Sequence, residues 1–490
     1  MLTLQNQFSL NITPRLITVP GRVLTGPSVK YKNGQTVRVM SGSWNMNEVQ
    51  LSTRSSLPNW TYLLLVPQKL QYPWEQQLPS VLATFQTTLK RVGIDIANHT
   101  PGLRYEFNPA NVEVDIDAAV QRFVSHPTRP APKLLFVIIP YEDQVIYNRI
   151  KFACDVKHGL LNVCAFGPKF AKANDQYCSN VALKFNLKLG GRNQYLDNAK
   201  LGIIAEGKTM VVGIDVTHPS PGSTSNAPSV AGIVASIDPW LGQWPADIQI
   251  QQARQEMVSG LDGMLKSRLR LWAKHNKGRL PENILVYRDG VSEGQYSIVL
   301  DQELPLLRKA CKETYPATDS QKGLPRITLI VVGKRHNTRF FPTKEQDSDN
   351  SSNPRNGTVV DRGVTEARNW EFFLQAHTAL KGTARPAHYF IVLDEIFRDR
   401  KVQLPFQNVA DVLEDLTHNM CYLFGRATKA VSVCPPAYYA DLVCERARCY
   451  LGKLFDGSSA GSVSDGGGRS EPDASSVAIH EKVRDSMFYI

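Results

Sequence analysis

Hydrophobic residues in this chain occur as short continuous runs, and the segments between the runs carry helical periodicity. Apolar runs at residues 61–66 and 134–139 predict strands that are buried on both faces of a parallel sheet. Each run is followed by a segment with the spacing of a helix. Residues from about 55 to 200 are therefore expected to form a small α/β domain.

The same alternation continues on a larger scale from about residue 200 to residue 490. Further buried strands are predicted at residues 209–214, 231–237, 284–287, 327–332 and 388–393. Met257, Leu261 and Leu265 recur at one-turn spacing, which predicts a helix in the region 251–271 that Glu256 opens. Later helices are predicted near residues 302–314 and, after the pair Pro435-Pro436, over residues 438–451.

Three segments lack such periodicity. Residues 1–50 are rich in proline and glycine, which indicates a linker made of turns and extended chain. Residues 346–356 and the Gly/Ser-rich residues 456–472 are expected to be flexible loops. The sequence contains no internal repeat.

Composition and charge favour a folded protein with a polyanionic partner. Hydrophobic residues make up 42% of the 490 residues, which suits a sizeable core. The formal net charge is +11, and an excess of this size favours nucleic acid through attraction and counterion release. A membrane surface, or solubility alone, could also account for the charge.

A cytoplasmic location is expected. The first residues have neither the basic segment nor the long apolar stretch of a secretory signal, and no apolar run is long enough to span a bilayer. The eight cysteines form no CxxC pair, so neither a zinc site nor a redox motif is predicted. Free thiols in a reducing cytosol fit this pattern.

Two aspartates follow predicted strands directly. Asp215 comes after the run 209–214, and Asp289 comes after the run 284–287. In an open α/β sheet, ligands bind beyond the carboxyl ends of the strands, so both carboxylates are expected to point into a site. Each aspartate taken alone fits a turn equally well, since Asp-Gly is a common turn pair.

Two further acidic residues complete a candidate metal site. Glu256 starts the predicted helix region, and Asp441 lies one turn into the last predicted helix. Taken alone, they fit a helix-dipole partner and a surface charge. Phosphodiester hydrolysis by two Mg²⁺ ions, held about 3.5–4 Å apart, needs several oxygen ligands. Acids in this order on strand, helix, strand and helix are typical of a ribonuclease H-like nuclease.

Lysines and a tyrosine earlier in the chain form a candidate phosphate site. Tyr147 and Lys151 lie four residues apart in a predicted helix and share a face. Lys184 and Lys188 are also four apart, in a run that is ambiguous between helix and strand, and they share a face in either. Such residues can bind a terminal phosphate while the ring stacks on a base. The spacing alone also fits a solvated basic face.

Four segments resemble the PIWI-domain signatures of eukaryotic Argonautes. They are residues 213–219 (GIDVTHP), 287–295 (YRDGVSEGQ), 334–339 (KRHNTR) and 436–441 (PAYYAD). Gln255-Glu256, residues 382–386 (GTARP) and the ending 487–490 (MFYI) fit the same pattern. Residues 147–151 and 184–191 are similar to the MID domain, and residues 21–24 and 42–46 resemble the linker before it. The resemblance extends over essentially the whole chain, with its motifs in the family's order.

This resemblance implies an α/β fold with a Rossmann-like MID domain and a ribonuclease H-like PIWI domain. It implies that residues 1–54 are an L2-like linker, residues 55–200 the MID domain and residues 201–490 the PIWI domain. The family's N-terminal and PAZ domains have no counterpart here. The implied protein is therefore the C-terminal lobe of an Argonaute.

The resemblance also implies a role for each candidate residue. The slicer tetrad is matched by Asp215, Glu256, Asp289 and Asp441, of which Asp215, Asp289 and Asp441 are the implied ligands of two Mg²⁺ or Mn²⁺ ions. The pocket for the guide's 5′-phosphate and first base is matched by Tyr147, Lys151, Lys184, Lys188, Arg446 and Ile490. Contacts to guide phosphates are matched by Lys334, Arg339, Arg385, Arg426 and Tyr438.

The implied partners are a small guide RNA and a complementary target RNA, with silencing proteins in addition, and neither a membrane nor a small-molecule substrate. One position departs from the family pattern. A glutamine usually precedes the cysteine that matches Cys164, and here Val163 stands in its place. Valine cannot hydrogen-bond a phosphate. We expect either that Asn162 substitutes for it or that Tyr147 and the lysines bind without it.

Three functions stay open at this point. The first is an endoribonuclease that a guide directs to its target. The second is a guide-binding platform that silences through recruited partners without cutting; the complete set of four acids favours the first over it. The third is another ribonuclease H-like nuclease, such as a resolvase or transposase relative, which would have no reason to carry a 5′-phosphate pocket.

Overall fold

The apolar runs form the central strands of two large sheets in the computed structural model, which describes residues 15–97, 101–320, 323–455 and 474–490. The strands up to residue 200 are β1 (Arg22–Val23), β2 (Ser56–Leu57), β3 (Trp60–Pro67), β4 (Asp95–Ile96), β5 (Leu103–Phe107), β6 (Leu134–Ile139) and β7 (Asn162–Phe166). The later strands are β8 (Thr209–Thr217), β9 (Ser229–Ala235), β10 (Ala246–Gln251), β11 (Asn283–Asp289), β12 (Arg326–Gly333), β13 (Thr358–Val360), β14 (Glu371–Gln375) and β15 (Ala387–Asp394).

The α-helices of eight or more residues in these ranges are α1 (Leu78–Arg91), α2 (Val112–Val124), α3 (Gln144–Lys151), α4 (Asp175–Lys188), α5 (Leu261–His275), α6 (Leu304–Thr314), α7 (Val409–Met420) and α8 (Pro435–Tyr450). Shorter α-helical turns are Gly167–Phe170, Asn198–Leu201, Tyr296–Ile298, Ala317–Ser320, Gly452–Phe455 and Glu481–Arg484, and π-helical turns are Phe152–His158 and Val299–Glu303. Within the described ranges, no helix has both the length and the apolar surface that a bilayer crossing requires.

The first large sheet is parallel throughout, with the strand order β5-β3-β6-β7. Every residue of β6 is buried. Alternate side chains of β6 belong to two different cores: Phe136 packs with the core that contains α1 and α4, and Val137 packs with α2 and α3. A strand covered on both faces has no polar side to show, which explains the continuous apolar run.

The second large sheet has nine strands in the order β1-β13-β14-β15-β12-β11-β8-β9-β10. Strands β8, β11 and β12 are parallel and lie in its middle, and all other neighbours are antiparallel. Helices α5 and α6 cover one face, while α7 and α8 cover the other. The carboxyl ends of β8 and β11 therefore open at one edge of a sheet that is covered on both sides.

Gly213 allows α8 to lie directly on β8. A Cβ atom at residue 213 would come within 1.9 Å of the carbonyl oxygen of Pro436, the second residue of the helix. No other residue fits such a close backbone approach. This contact fixes the start of α8, and with it the height of Asp441 above the sheet.

The described part of the predicted linker packs against both domains. Strand β1 pairs with β13 at the edge of the large sheet. Arg22 on β1 forms ion pairs with Asp361 and Asp411, at 2.9 and 2.8 Å, and with the buried Glu414. The backbone of Lys30 pairs with Tyr195, near the end of the first domain. This segment thus joins the two halves of the molecule.

One prediction for the second domain, the helix in the region 251–271, needs correction. Glu256 does not open a helix: α5 begins at Leu261, and residues 252–260 form an irregular loop in which Arg254 has a positive φ of 62°. Side chains hold this loop, since Ser229 accepts the N–H of Arg254 at 2.8 Å and Gln251 donates to the carbonyl of Gln255 at 2.7 Å. Local hydrogen bonds to side chains compete with a helix, although Met257 is buried in the same core as Leu261 and Leu265.

The two predicted loops have different outcomes. Residues 346–356 overlap one 3₁₀ turn, Glu345–Asp347, contain an isolated antiparallel bridge between Ser348 and Pro354, and are otherwise irregular, as expected of a loop. Asn353 within it is 2% exposed and its amide bridges to the carbonyl of Gly382 and the N–H of Ala384. The loop is therefore anchored at its centre. Residues 456–472 lie outside the described residues.

Candidate active site and adjoining basic cavity

Asp215 and Asp289 lie side by side on neighbouring parallel strands. Ile214 on β8 pairs with Arg288 on β11, so the next residue of each strand is one of the two aspartates. Asp215 is 7% exposed. The predicted convergence of the two strand ends is present, and it places two carboxylates against each other in a region of little water.

Asp441 joins this pair from α8, which crosses the same strand ends. Burial, followed by repulsion from Asp289 and Asp441, raises the pKa of Asp215 well above its usual range. Burial also raises the pKa of Asp289 to about 6, although the Gly290 N–H donates to its carboxylate at 2.8 Å. Burial and the nearby Glu445 raise the pKa of Asp441 to about 6. The three carboxylates share a surplus of negative charge.

Glu256 reaches the same place from its loop. A Cβ atom built on Gly290 would lie 3.2 Å from Oδ1 of Asp215 and 3.6 Å from Oε1 of Glu256, so the two acids flank this glycine. Oε1 of Glu256 forms an ion pair with Arg288 at 2.9 Å, and Oε2 contacts Nε2 of His218 at 2.8 Å. All four predicted acids thus converge, with Glu256 held by cationic and imidazole partners.

The donor chemistry fits a hard divalent cation. Asp215, Asp289 and Asp441 offer carboxylate oxygens, the donors that Mg²⁺ and Mn²⁺ prefer, and burial together with neighbouring carboxylates raises the pKa values of all three. These acids therefore suit the ion by their donor atoms and by their shared negative charge.

Sequence reasoning missed the residues that support the acids. Arg288 is fully buried and binds Glu303 through Nε at 3.0 Å, as well as Glu256. Arg335 lies close enough to Asp289 and Asp441 to counter the rise of both pKa values. Arg288 stands directly before Asp289, and Arg335 lies inside the basic segment 334–339. Neighbouring motif positions were thus the available signal.

A basic cavity lies where the two domains meet. Its volume is about 180 Å³, and it is lined by Tyr147, Lys151, Val163, Cys164, Lys184, Arg426, Leu442, Glu445, Arg446, Cys449, Tyr489 and Ile490. Helices α3 and α4 and strand β7 supply one wall; α8 and the last two residues supply the other. Five of the six residues predicted for the guide's 5′ end line this cavity, the exception being Lys188.

Asp155 organises the cavity from behind and was not predicted. It is fully buried in the π-helical turn after α3. Its Oδ2 accepts from Arg446 at 2.9 Å and from the hydroxyl of Tyr450 at 2.8 Å, and its Oδ1 accepts from Asn162 at 2.8 Å. Asp155 therefore ties α8 of the second domain to the first domain.

Asn162 does not substitute for the missing glutamine in the way expected. It is fully buried, it is not among the lining residues, and its amide donates to Asp155 and to the carbonyl of Leu160, at 2.8 and 3.2 Å. Its oxygen accepts from the ammonium of Lys151. The next two residues of β7, Val163 and Cys164, line the cavity instead. Asn162 consequently orients Lys151 without lining the cavity.

The two lysines of α4 have different positions. The ambiguous run 183–189 is helical through Lys188, so both lysines share a helix as expected. Lys184 lines the cavity, where burial and the nearby Arg426 lower its pKa to about 8. Lys188 is 1% exposed and donates to the carbonyl of Phe488. Lys188 fixes the C-terminal segment rather than facing the cavity, and its contact with a guide remains a prediction.

Four of the five residues predicted for guide phosphates fall into two places. Arg426 lines the basic cavity. Lys334 lies near Arg339 and Arg385, and it donates to the carbonyl of Arg385 at 2.7 Å. The guanidinium of Arg339 donates to the carbonyls of His336 and Thr338, at 3.0 and 2.7 Å.

Tyr438 is 36% exposed and packs against Phe424 with ring centroids 4.5 Å apart. It thus offers part of its ring to solvent at the start of α8. No contact with RNA is tested for any of these residues, and their roles remain predictions.

Proteins whose family is known match nearly the whole of this chain. The Piwi domain family model matches residues 134–452. The protein argonaute MEL1 of Oryza sativa subsp. japonica is 36% identical over 521 residues, which cover 99% of this chain and 46% of that protein. The chain thus spans about half the length of the curated relatives it matches.

Two solved structures share the fold. The C-terminal lobe of a budding yeast Argonaute matches with a TM-score of 0.81 and 28% identity, over 96% of this chain and 95% of that one. An Argonaute of Kluyveromyces polysporus with a guide RNA matches with a TM-score of 0.80 and 28% identity, over 97% and 57%. The predicted α/β fold, a MID domain joined to a ribonuclease H-like PIWI domain, is confirmed. The chain belongs to the Argonaute family of Piwi-domain proteins.

Proposed function

We propose that this chain binds the 5′-phosphate of a small guide RNA and cleaves a paired target RNA in the cytoplasm. The observation that carries the proposal is that a single helix, α8, serves both sites. It brings Asp441 to the aspartates at the strand ends and, just over one turn later, Arg446 to the basic cavity. The structure of the Kluyveromyces polysporus protein contains a guide RNA, which supports the same class of ligand here.

The cavity suits a terminal phosphate by charge and size. Lys151, Lys184, Arg426 and Arg446 line it, and Glu445 is its one acidic lining residue. Arg446 is paired with Asp155, so a phosphate in this space would meet mainly the charges of Lys151, Lys184 and Arg426, with the ring of Tyr147 beside Lys151 at 5.1 Å. The ring is placed to stack on the first base, since aromatic faces bind bases without regard to sequence. Because a 5′-phosphate is negatively charged and a 5′-hydroxyl is neutral, the basic cavity should bind the phosphorylated end more tightly.

Two Mg²⁺ or Mn²⁺ ions, held by Asp215, Asp289 and Asp441, would activate water and stabilise the leaving oxygen of the target. The chain's own residues prepare this site. Gly290 has no side chain and so leaves space for the carboxylates of Asp215 and Glu256 at the end of β11. Its backbone N–H donates to the carboxylate of Asp289. Arg288 fixes Glu256 beside the aspartates. Arg335 lies near the acids, where a cation can receive the backbone of the nucleic acid.

The binding half of the proposal is tested with two RNAs that differ only at the 5′ end. At a stated salt concentration, the chain should bind 5′-phosphorylated RNA at least about tenfold more tightly than 5′-hydroxyl RNA. Lys151→Met should remove most of this preference. Lys169→Met is the matched control, because Lys169 is on the same domain, exposed and paired with Glu142 outside the cavity. Equal affinities in the unaltered chain would contradict the proposal.

The cutting half is tested with a guide paired to a labelled target in Mg²⁺. Asp215→Ala should abolish cutting and leave 5′-phosphate binding intact, since Asp215 does not line the cavity. Asp301→Ala removes an exposed carboxylate of the same domain and should leave cutting unchanged. Cutting by Asp215→Ala at the rate of the unaltered chain would contradict the proposal.

A second function, a guide-binding platform that does not cut, is favoured by one observation. Both carboxylate oxygens of Glu256 are engaged by protein partners, Oε1 by Arg288 at 2.9 Å and Oε2 by His218 at 2.8 Å. If the chain binds phosphorylated guide but leaves a paired target whole in saturating Mg²⁺, this alternative replaces the first for the chain as it stands. Silencing would then require partner proteins.

A further inference from the structure

The thiols of this chain are unevenly accessible. Six cysteines are buried: Cys154, Cys178, Cys311, Cys421, Cys434 and Cys444. The other two, Cys164 and Cys449, are partly exposed. Both of them line the basic cavity, although one lies on β7 of the first domain and the other on α8 of the second. Solvent therefore reaches the thiols of this protein in one place.

The cavity places positive charge beside these two sulfurs. Lys151 lies in electrostatic range of both Cys164 and Cys449, and Lys184 and Arg446 are further lining cations. Positive charge near a thiol stabilises the thiolate, which is the reactive form. The same cations attract negatively charged molecules into a space of about 180 Å³.

We propose that Cys164 and Cys449 make the basic cavity a site of covalent thiol modification by small anionic electrophiles, and that the adduct excludes the 5′-phosphate of a guide. The part that concerns the guide rests on the proposed function. The chemical requirements are a small leaving group, a soft electrophilic atom and a negative charge. A guide already bound in the cavity shields the same sulfurs.

The reaction with iodoacetate illustrates the chemistry and serves as the probe. A thiol first loses its proton to solvent. The thiolate then attacks the methylene carbon, a carbon–sulfur bond forms, the carbon–iodine bond breaks and iodide leaves. The product carries a carboxylate on the sulfur. This group fills part of the cavity and neutralises one of its cations. A terminal phosphate needs both that space and that positive charge.

The two sulfurs differ in their surroundings. The Cys449 thiol donates to the carbonyl of Glu445 at 3.5 Å, one turn earlier in α8. Burial raises the pKa of Cys449, so little of this thiol is ionised at neutral pH. Its labelling should therefore increase as the pH rises toward 9, whereas the buried thiols gain nothing until the chain opens.

The experiment compares iodoacetate with the neutral iodoacetamide on the folded chain, with labelling read at each cysteine by peptide mass spectrometry. Cys164 and Cys449 should label at least about tenfold faster than the six buried thiols, which serve as controls in the same spectrum. The ratio of iodoacetate to iodoacetamide rates should be several times higher at these two sites than for free cysteine. Phosphorylated RNA should protect both sites better than hydroxyl-ended RNA.

The consequence is measured by RNA binding after labelling. Carboxymethylated chain should lose at least about tenfold in affinity for 5′-phosphorylated RNA and bind it like 5′-hydroxyl RNA. In the double variant Cys164→Ser with Cys449→Ser, the affinity before and after treatment should be the same. Even labelling of all eight thiols, or undiminished phosphate-dependent binding by labelled chain, overturns the proposal.

Failure of the proposed function has a different signature. If the untreated chain does not distinguish the two RNAs, the 5′-phosphate assignment fails whatever the labelling shows. The two labelling ratios then decide the thiol site by themselves: selective, charge-dependent reaction at Cys164 and Cys449 supports it, and unselective reaction overturns it.

Discussion

The acidic site and the basic cavity both gather like charges, but the protein supports them differently. At the cavity, Asp155 and Asn162 hold Arg446 and Lys151 through buried hydrogen bonds, and the carbonyl of Phe488 holds Lys188 outside it. In the acidic site, burial and then repulsion from Asp289 and Asp441 raise the pKa of Asp215. The fold pairs the charges around the cavity, whereas in the acidic site carboxylates lie next to carboxylates.

This difference separates what each site should respond to. A cavity assembled by hydrogen bonds keeps its shape without a ligand, so its affinity is set by the charges that remain unpaired. Carboxylates that repel each other destabilise the folded chain until a cation neutralises them. Removing one acid should therefore abolish chemistry without harming the fold, and removing one cavity cation should weaken binding without harming chemistry.

The largest effect is expected from Asp289→Asn. The amide keeps the size of the side chain but removes a negative charge that a divalent cation needs, which costs several kcal/mol in the transition state. Cutting of a paired target should fall by about a thousandfold or more. Single-turnover cleavage with a prebound guide measures this, and 5′-phosphate binding should change by less than about twofold. A variant that cuts normally would remove Asp289 from the site.

A smaller effect is expected from Lys184→Met. Burial and the nearby Arg426 lower the pKa of Lys184 to about 8, so it is charged at pH 7 and its charge faces the cavity. Losing this charge should weaken binding of 5′-phosphorylated RNA by roughly 10- to 100-fold at pH 7. Lys172→Met, an exposed lysine of the same domain, should bind like the unaltered chain.

The sign of the stability change distinguishes this result from misfolding. The folded chain binds fewer protons at Lys184 than the unfolded chain between pH 8 and the ordinary lysine pKa near 10.5. Stability from this group therefore rises with pH across that window, and the buried charge costs stability below it. Lys184→Met should unfold at an equal or higher urea concentration than the unaltered chain at pH 7. A clear loss of stability would assign the binding defect to the fold.

A third prediction concerns Mg²⁺ and pH in the acidic site. The pKa values of Asp289 and Asp441 are raised to about 6, so the folded chain holds protons there that the unfolded chain has released above pH 4. Stability of the metal-free chain should fall as the pH rises from about 4 to 6 and then level off. Mg²⁺ binds the ionised form, so it should raise the melting temperature by roughly 2–4 °C more at pH 7.5 than at pH 5.

Potassium chloride at matched ionic strength controls for screening in this measurement. Asp289→Asn should lose most of the Mg²⁺ effect, because it removes both a ligand and a repelling charge. An equal shift at both pH values would show that Mg²⁺ stabilises the chain elsewhere.

The order of apolar and polar residues predicted those parts of the fold that depend on neighbours in the sequence. The apolar run in β6 is long because both of its faces are covered, and Asp215 and Asp289 were found because parallel strands end at one edge. A glycine is necessary at residue 213 because Pro436, far along the chain, packs directly against it. The motif contained the glycine, while the reason for it lay in tertiary packing.

Long-range partners explain what was not predicted. Asp155 binds Arg446 and Tyr450 across 291 and 295 residues of sequence, and nothing near Asp155 indicates either partner. Glu256 was placed on a helix because the spacing from Met257 onward is helical, yet side-chain hydrogen bonds hold that stretch as a loop. The spacing of residues indicates which of them can share one face of a helix. It does not indicate which distant groups form hydrogen bonds that compete with the helix.

The smallest effect is expected from Glu256→Gln, and it tests whether Glu256 belongs to the chemistry or to the fold. Arg288 is fully buried and would be destabilising without a carboxylate partner, but Glu303 also binds it, with Nε and Nη2 each at 3.0 Å from an oxygen. Glu256→Gln should therefore change the free energy of unfolding by only about 1 kcal/mol. Glu303→Gln, which leaves Arg288 with the less buried Glu256, should cost about 3–5 kcal/mol. Urea unfolding of both variants measures the difference. If Glu256→Gln destabilised the chain as much as Glu303→Gln, the glutamate would be a structural partner of Arg288, and only three acids would remain for catalysis.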